Sequence, residues 1–336
     1  MKNRIAIVFL LILFAGSESL KSQMTPPEPK NVKLADIHWR DMCILPDAAT
    51  NTYYMVGPGG RGVNCYTSKD LLNWYGPLRI YEAAQDVWGT IPIVSIWAPE
   101  LHKYHDKYYL FLTFDTRNKL CEQWPSWERV GRVTRGSQIL VGDSPTGPFK
   151  PFQNHSTLPV DMMTLDGTLY TEDGIPYIVF CHEWVQITNG SICYMQLKDD
   201  LSETTGVPVK LFHGSEASWS VTGKQFGNNV TDGCFLHKGR TGKLYMLWTS
   251  AGPTGYTQGI AISESGKLAG PWIQQDEPLY VQDGGHGMVF RTFDGRLMMI
   301  LHSPNNRSSR PRIFEMEDNG NTLVTGKELV DTSAAR

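Results

Sequence analysis

Short apolar runs bounded by Gly, Pro, Asp and Asn recur along the chain, and many are rich in β-branched and aromatic residues. None of them extends into the 3.6-residue periodicity of a long amphipathic helix. Runs of this length between turn residues are typical of strands. The pattern therefore predicts an all-β protein.

One apolar run recurs five times along the chain with similar residues. It reads TYYMVG from residue 52, KYYLFL from 107, PYIVFC from 176, KLYMLW from 243 and RLMMIL from 296, each time after a polar turn. A repeat of about 60 residues indicates an array of one supersecondary unit. Five such four-stranded units predict a five-bladed β-propeller in a single domain, because radial repetition protects the edges of the sheets. A β-sandwich is the alternative, but it would not explain a fivefold repeat.

The segments before these turns also share a form, with a polar residue ahead of an apolar pair. They read DMCIL from 41, DGTLY from 166, DGCFL from 232 and HGMVF from 286, while the second unit has Ala98 in the polar position. In a propeller the first strand of each blade lines the central channel, so equivalent positions converge at one mouth. We therefore expect four polar side chains to face one another there: Asp41, Asp166, Asp232 and His286. Carboxylates brought together raise each other's pKa, which favours a functional site over a structural role.

Three convergent carboxylates permit two kinds of chemistry. Cleavage of a glycosidic bond needs one carboxylic acid to protonate the leaving oxygen and one carboxylate to activate water or to attack. A third carboxylate can keep the pKa of the acid high. The same groups suit Ca²⁺, which prefers oxygen ligands, although the Asp-x-Asp-x-Asp spacing of a calcium loop is absent. The residues alone leave both interpretations open.

Composition and the N-terminus limit the class of protein. The chain of 336 residues is 41% hydrophobic, carries a net charge of −3 and has no basic run, which argues against nucleic-acid or membrane-surface partners. Residues 1–22 combine a basic start, a short apolar stretch and small residues, and they predict a signal peptide rather than a membrane span. The propeller would then occupy residues 23–336 of a periplasmic or secreted protein. The cysteines show no metal-ligand spacing, and free buried thiols are expected at Cys43, Cys181 and Cys234.

At the level of whole motifs the chain resembles glycoside hydrolase family 43. The stretches that carry the resemblance are RDMCILPDAATNTYYMVG, IWAPELHKYHDKYYLFLT, LDGTLYTEDGIPYIVF, TDGCFLHKGRTGKLYMLWTS and GGHGMVF, which together touch all five units. The resemblance implies a five-bladed propeller that hydrolyses arabinosides, xylosides or galactosides with inversion. It also implies that Asp41 is the general base, that Asp166 tunes the pKa of the acid, and that Asp232 stands where the family has a Glu as general acid. His286 matches a histidine near a central metal ion, commonly calcium.

Two positions depart from that pattern. Met42 replaces the usual Pro after the base, and Asp232 is one methylene shorter than the family's Glu. A proton donor displaced by ~1 Å can lose orders of magnitude in rate. Glu183 and Glu216 are therefore kept as alternative acids.

Further residues near the predicted channel mouth are candidates for sugar binding. Aromatic faces stack on sugar rings, although each Trp could equally pack in the core. Glu100 could bond a sugar hydroxyl or tie the second blade to its neighbour. The predicted substrate-binding set is Trp97, Glu100, Glu183, Trp184 and Trp219.

Taken together, the sequence predicts an exported inverting glycoside hydrolase that releases pentose-type or furanosyl sugars from polysaccharide side chains. We expect an oligo- or polysaccharide substrate, a monomer, a structural Ca²⁺ near the channel axis and no organic cofactor. A catalytically silent carbohydrate-binding propeller is the alternative, favoured by the shortened acid at Asp232. A retaining fructan hydrolase is disfavoured, because neither its Trp-Met-Asn-Asp-Pro-Asn motif nor a Glu-Cys pair is present. The neoagaro-oligosaccharide hydrolases, which share a similar propeller, stay open as relatives.

Overall fold

The strands form five antiparallel sheets, and each sheet is one blade of a propeller. The structure is a computed structural model that describes residues 28–124 and 131–331. In each blade the strands follow one another in chain order from the channel to the rim, except that the first strand of the chain is added at the rim of the first blade. The prediction of an all-β, five-bladed propeller in a single domain is confirmed.

The blades follow one another along the chain. The first blade consists of β1 (Lys30–Lys33), β2 (Cys43–Asp47), β3 (Thr52–Gly59), β4 (Gly62–Ser68) and β5 (Asn73–Glu82). The second consists of β6 (Ile93–Tyr104), β7 (Lys107–Thr116), β8 (Gly136–Gly142) and β9 (Lys150–Pro151). The third consists of β10 (Thr164–Glu172), β11 (Ile175–His182), β12 (Ser191–Leu197) and β13 (Thr204–His213).

The two remaining blades complete the ring. The fourth consists of β14 (Asp232–Lys238), β15 (Leu244–Gly252), β16 (Gly255–Ser263) and β17 (Trp272–Gln274). The fifth consists of β18 (Gly285–Arg291), β19 (Leu297–Ser303), β20 (Arg310–Asp318) and β21 (Leu323–Glu328). Helical structure among the described residues is limited to α1 (Trp184–Ile187) and two 3₁₀ turns, Leu34–Asp36 and Gly214–Glu216.

The five repeated apolar runs are β3, β7, β11, β15 and β19, which are the second strands of the blades when counted from the channel. A second strand has bonded neighbours on both edges and a packed blade on each face, so both of its faces are buried. In β15 the side chains from Leu244 to Ser250 are all buried. This explains why these strands read as continuous apolar runs, whereas the innermost strands carry the polar residues.

The hydrophobic core lies between neighbouring blades. Trp248 of β15 is fully buried and packs against Phe212 of β13 and against Trp219, with ring centroids 5.4 and 4.7 Å apart. Burying side chains of this size stabilises the fold by roughly 1.5–3 kcal/mol each. Such contacts fix each blade against the next one and hold the inner strands around the axis.

The ring closes between the first and fifth blades without exchange of a strand, because β1 pairs with β5 of its own blade. Hydrogen bonds join the two blades instead: the Trp39 backbone N–H donates to the Ser309 carbonyl at 3.0 Å, and the Arg310 guanidinium donates to the Ala35 carbonyl at 2.6 Å. The closing segment, residues 34–41, leads directly into Asp41. Closure of the ring therefore also positions the first predicted catalytic residue.

The structure also bears on the predictions about the cysteines and about membrane-spanning segments. All six cysteines are free, as expected for Cys43, Cys181 and Cys234, which are buried. In the described part of the chain no helix has the length and apolar character needed to cross a membrane. The predicted signal peptide, residues 1–22, lies outside the described residues.

Candidate active site

A two-residue bulge near the start of the inner strand recurs in the second to fifth blades. The register with the neighbouring strand shifts between Trp97 and Glu100, Leu165 and Thr168, Asp232 and Phe235, and Gly285 and Met288. In each of these pairs the residue that follows the first one has a positive φ: 38° at Ala98, 55° at Asp166, 54° at Gly233 and 53° at His286. In the first blade Asp41 also has a positive φ, of 54°. Left-handed backbone at non-glycine residues costs about 1–3 kcal/mol and is concentrated at functional sites. Bulges of this kind re-aim side chains.

The bulges correct one sequence prediction. Asp232 does not share the position of Asp41, Asp166 and His286, because that position belongs to Gly233. A Cβ atom at Gly233 would lie 2.9 Å from the Cα of His286, so no side chain fits there. The Asp-Gly pairs of the third and fourth blades are therefore not equivalent, because Asp166 corresponds to Gly233 and not to Asp232. Asp232 instead extends from the position before the bulge, which Leu165 occupies in the third blade.

The carboxylates nevertheless share one cavity. It has a volume of about 470 Å³ and opens at the mouth where the inner strands begin. Its walls include Asp41, Asp166, Asp232 and His286, together with Arg40, Trp97, Glu183, Trp184 and Tyr256. The structure therefore brings the three predicted acids and the imidazole together in one cavity.

Asp41 is held in its charged form. Arg40 Nε donates to Asp41 Oδ2 at 2.9 Å, and its guanidinium is half-exposed toward the cavity. Burial alone would raise the pKa of Asp41, but its electrostatic interactions with His286, His302 and Arg40 outweigh burial and lower the pKa below its ordinary value. Asp41 Oδ1 is buried and accepts no hydrogen bond from a described residue. The Nδ1 atoms of His302 and His286 lie 3.2 and 3.7 Å from this oxygen.

His302 supports Asp41 from the fifth blade, and sequence reasoning missed it. The fully buried imidazole accepts a hydrogen bond from the Asp41 backbone N–H at Nδ1, 3.3 Å away, and Nε2 lies 3.1 Å from Asn305 Oδ1. Burial lowers the pKa of His302 to about 4, so the ring is neutral at pH 7. His302 belongs to an apolar second strand, and only the polar letter in the run ILHS marked it.

Asp166 is the most strongly perturbed carboxyl group. Burial raises its pKa to about 8; the negative charges of Asp41, Glu100 and Glu183 act in the same direction, and a hydrogen bond from the Gly233 N–H opposes them. That bond ends on Oδ2 at 2.9 Å. Asp166 is therefore protonated over most of the neutral range, as a carboxyl group close to other acids must be.

The pKa of Asp232 lies between the pKa values of Asp41 and Asp166. Burial raises its pKa to about 7, and the interaction with the neighbouring carboxyl group of Asp166 adds to the rise, while His286 and the hydroxyl of Tyr256 lower it. Tyr256 donates a hydrogen bond of 2.9 Å to Asp232 Oδ2. A group that titrates near neutral pH suits general acid catalysis.

Glu183 lies at the cavity but is occupied by an ion pair. Arg135 donates to both of its carboxylate oxygens, at 2.6 and 2.5 Å, and also to Asp115. Burial raises the pKa of Glu183, and the Arg135 charge opposes this. A carboxylate that is bound on both oxygens by a guanidinium is a poor proton donor. Arg135 was not singled out from the sequence, because the pair joins residues 48 positions apart.

Two predicted aromatic residues line the cavity. The Arg135 guanidinium carbon lies 4.1 Å from the ring centroid of Trp97, and the indole N–H donates to Ser95 at 2.9 Å. This cation–π contact covers one face of Trp97 and fixes the plane of the ring. Trp184 begins α1 and stacks on Phe226 with centroids 5.8 Å apart. Both indoles stand where a sugar ring could contact them.

Three other candidates lie away from the cavity. Trp219 is buried in the core against Trp248, because its apolar surface packs between the third and fourth blades. Glu100 is buried below the mouth, where Thr168 and His102 bond its Oε2 at 2.6 and 2.7 Å, so it ties blades together. Glu216 is exposed and accepts the His213 N–H at a 3₁₀ turn. The structure thus corrects the predicted sugar contacts of Trp219 and Glu100 and removes Glu216 as an acid.

His286 faces the axis between two carboxylates. Its Nδ1 is 3.7 Å from Asp41 Oδ1 and 3.8 Å from Asp166 Oδ2. In the described residues no group of three or more His, Cys, Asp or Glu side chains is arranged to hold a metal ion. An ion at His286 would therefore need to take most of its ligands from water, and the Ca²⁺ remains a prediction.

Comparison with known proteins agrees with this geometry. The family model for glycosyl hydrolases family 43 matches residues 35–322, which is most of the chain. The chain belongs to glycoside hydrolase family 43. As a member of this family it is a glycoside hydrolase, and its substrate is a carbohydrate. No curated protein sequence matches it.

Solved structures place the family 43 enzyme among similar propellers. An endo-arabinase from Bacteroides thetaiotaomicron VPI-5482 is 38% identical, with a TM-score of 0.76 over 85% of this chain and 96% of the other. An endo-1,4-beta-xylanase from the same organism is 22% identical, with a TM-score of 0.68 over 87% and 96%. An alpha-L-arabinofuranosidase from Lactobacillus brevis is 17% identical, with a TM-score of 0.70 over 87% and 94%. The last two likenesses concern the fold alone.

Proposed function

We propose that this family 43 enzyme hydrolyses arabinofuranosyl linkages in a polysaccharide with inversion, using Asp41 as general base and Asp232 as general acid. One observation carries the proposal: two carboxyl groups of the same cavity have pKa values moved in opposite directions, that of Asp41 downward and that of Asp232 up to about 7. Such a split assigns the acid and the base of a carboxylate pair.

Asp41 acts on the water. Its ionised form takes a proton from the water while the water oxygen attacks the anomeric carbon. Arg40 holds Oδ2 and keeps its charge at every pH at which the protein is folded. The bond from the Asp41 backbone N–H to His302 fixes the strained backbone from which the carboxylate projects.

Asp232 acts on the leaving group. It donates its proton to the glycosidic oxygen as the bond to the anomeric carbon breaks, and it is left as a carboxylate. Burial is the main cause that keeps Asp232 protonated near neutral pH, and its interaction with the neighbouring carboxyl group of Asp166 acts in the same direction. Glu183 is a weaker candidate for this step because Arg135 binds both of its oxygens.

The substrate assignment rests on the relatives. The 38% identical protein is an endo-arabinase, which supports an arabinan-type substrate over the xylosides and galactofuranosides that the sequence also allows. Trp97 and Trp184 offer two apolar faces at the cavity for the sugar rings. Such faces suit any pentose, so they support a carbohydrate substrate without choosing among the sugars.

We also propose that the enzyme is exported. The support is the N-terminal sequence, in which Lys2 and Arg4 precede an apolar stretch too short to span a bilayer. A cut between the leader and the propeller domain would leave the closing segment of the ring intact. N-terminal sequencing of the protein from the periplasm or medium tests this.

The test of the proposed function is a substrate panel read by NMR. Linear arabinan, xylan and an aryl galactofuranoside are incubated with the enzyme, and the anomer that forms first is identified before mutarotation. We expect arabinan to be cleaved and the product to have inverted configuration. Retained configuration would refute the roles of Asp41 and Asp232, and cleavage of xylan alone would refute the substrate. Binding of arabinan without any cleavage would favour a silent carbohydrate-binding propeller.

A further inference from the structure

Tyr256 contacts the shortened acid and nothing in the sequence pattern marks it. It is the second residue of β16, and β15 lies between β16 and the inner strand that carries Asp232. Its hydroxyl lies 2.9 Å from Asp232 Oδ2, and the side chain is 9% exposed. Among the hydrogen bonds of the described residues, none ends on Asp232 Oδ1. The two oxygens of this carboxyl group are therefore not equivalent.

The ring of Tyr256 is held from two sides. It stacks on the imidazole of His302 with centroids 5.5 Å apart and an angle of 21° between the planes. Its backbone N–H donates to Asp283 Oδ1 at 3.1 Å, which fixes the start of the strand. Because His302 is itself fully buried, the hydroxyl has little freedom to move away from Asp232.

The hydroxyl acts as a hydrogen-bond donor. Burial, together with the nearby negative charge of Asp232, raises the pKa of Tyr256 well above its ordinary value, so it keeps its proton at any pH at which the enzyme works. A neutral hydroxyl beside a carboxyl group can donate to either protonation state, and it donates more strongly to the ionised one.

We propose that Tyr256 is a positioning residue for the proton donor: its hydroxyl occupies Asp232 Oδ2, so that Oδ1 carries the transferable proton toward the cavity. This inference rests on the proposed role of Asp232. An Asp lacks the extra torsion by which a Glu could adjust its carboxyl group, so a fixed orientation matters more here. As the proton moves to the glycosidic oxygen, negative charge develops on Asp232 and the bond from Tyr256 strengthens. Interactions that strengthen in the transition state raise the rate.

The test uses Tyr256→Phe, which keeps the ring on His302 and removes only the hydroxyl. General acid catalysis contributes about 10²–10⁴-fold, and loss of its orientation should remove about 10–100-fold of kcat on arabino-oligosaccharides. Aryl arabinofuranosides with acidic phenol leaving groups need little protonation, so their kcat should change less than about threefold. Circular dichroism and thermal melting establish that the variant is folded.

The dependence of kcat on pH gives a second test of the positioning role of Tyr256. The hydroxyl favours ionised Asp232, so its removal should raise the pKa of that group and move the alkaline limb of kcat to higher pH. The other titratable groups that interact with Asp232 are unchanged in the variant; they are Asp41, Asp166, Cys181, His286 and, from the cavity wall, Arg40. A residue with a purely structural role would not move this limb.

Tyr280→Phe is the matched control. Tyr280 is also buried, donates its hydroxyl to Ser303 at 3.0 Å and packs on Phe314, but it does not line the cavity. Its loss should leave the dependence on leaving group unchanged. In an Asp232→Asn background, Tyr256→Phe should have no further effect on arabino-oligosaccharides, because the donor it orients is gone.

The outcomes separate the two proposals. If Asp232→Asn spares acidic phenol leaving groups but Tyr256→Phe slows all substrates equally or none, the positioning role is refuted and the role of Asp232 stands. If Asp232→Asn itself shows no dependence on leaving group, the proposed function fails. A rise in KM at constant kcat in Tyr256→Phe would also refute the inference, since it indicates binding equal in ground and transition states.

Discussion

The backbone N–H of Gly233 donates to Asp166 Oδ2 at 2.9 Å, across the boundary between the third and fourth blades. Gly233 directly follows Asp232, so this bond sets how closely the two acidic side chains approach. The positive φ and the lack of space for a Cβ atom restrict the position to glycine. Two carboxyl groups held in this way oppose each other's ionisation, and most of the predictions below depend on that.

Replacing Asp41 with Asn should abolish hydrolysis while arabinan binding and folding persist. The amide has nearly the shape of the carboxylate but cannot take a proton from water, and a loss of about 10²–10⁴-fold in kcat is expected. Initial rates on arabinan and affinity from calorimetry measure the two effects. Asp106→Asn, at an exposed turn, is the matched control. A variant that keeps near wild-type turnover would remove Asp41 from the mechanism.

Replacing Asp232 with Ala should slow arabino-oligosaccharides by about 10²–10⁴-fold and spare aryl glycosides with good leaving groups. Those substrates need little protonation of the departing oxygen. Glu183→Gln should lower both rates together, because it breaks the pair with Arg135 without removing the proton donor. A selective loss in Glu183→Gln and not in Asp232→Ala would reverse the assignment of the acid.

The rate should fall as the pH rises through about 7, where Asp232 loses its proton. In Asp166→Asn the second titrating group of the interacting pair is gone, so the pKa of Asp232 should fall and the alkaline limb should move to lower pH. Burial, the larger cause, persists, so the shift should be partial. A profile of kcat against pH for both proteins measures it. An alkaline limb that stays in place would mean that Asp166 does not tune the acid.

Asp166 should also make stability depend on pH. Its folded-state pKa is raised to about 8 from the ordinary value of 3.8, so the folded state binds the proton more tightly than the unfolded chain. The stabilisation from this group is complete below about pH 4 and is lost as the pH rises toward 8. Asp166→Asn should therefore gain Tm relative to the parent protein at pH 8 compared with pH 5. Thermal melts at both values decide it, and an equal difference at the two pH values would contradict the expected titration.

For the metal site we propose a Ca²⁺ ion at His286 with water as its main ligands. An ion bound only to the folded protein stabilises it, so excess chelator should lower Tm, and added Ca²⁺ should restore it. His286→Ala should melt at the same temperature with and without chelator. If the parent protein itself is unaffected by chelator, no exchangeable metal contributes.

Most of the fold was determined by the sequence alone. The run repeated from 52, 107, 176, 243 and 296 identifies the second strands because their burial on both faces leaves only apolar residues. The convergence of Asp41 and Asp166 followed from the same repeat, since equivalent positions of radial blades must meet at the axis. These features are local and periodic, and a single sequence displays them.

The tertiary structure alone decided what depends on register and on contacts between blades. Asp232 stands one residue before the position inferred for it, because the bulge places Gly233 against His286 where no side chain fits. Trp219 went to the core because apolar area is buried wherever neighbouring blades leave room. Tyr256 and His302 reach the site from non-inner strands, through contacts between residues far apart in the chain. No spacing rule encodes such contacts, since they arise only when the ring closes.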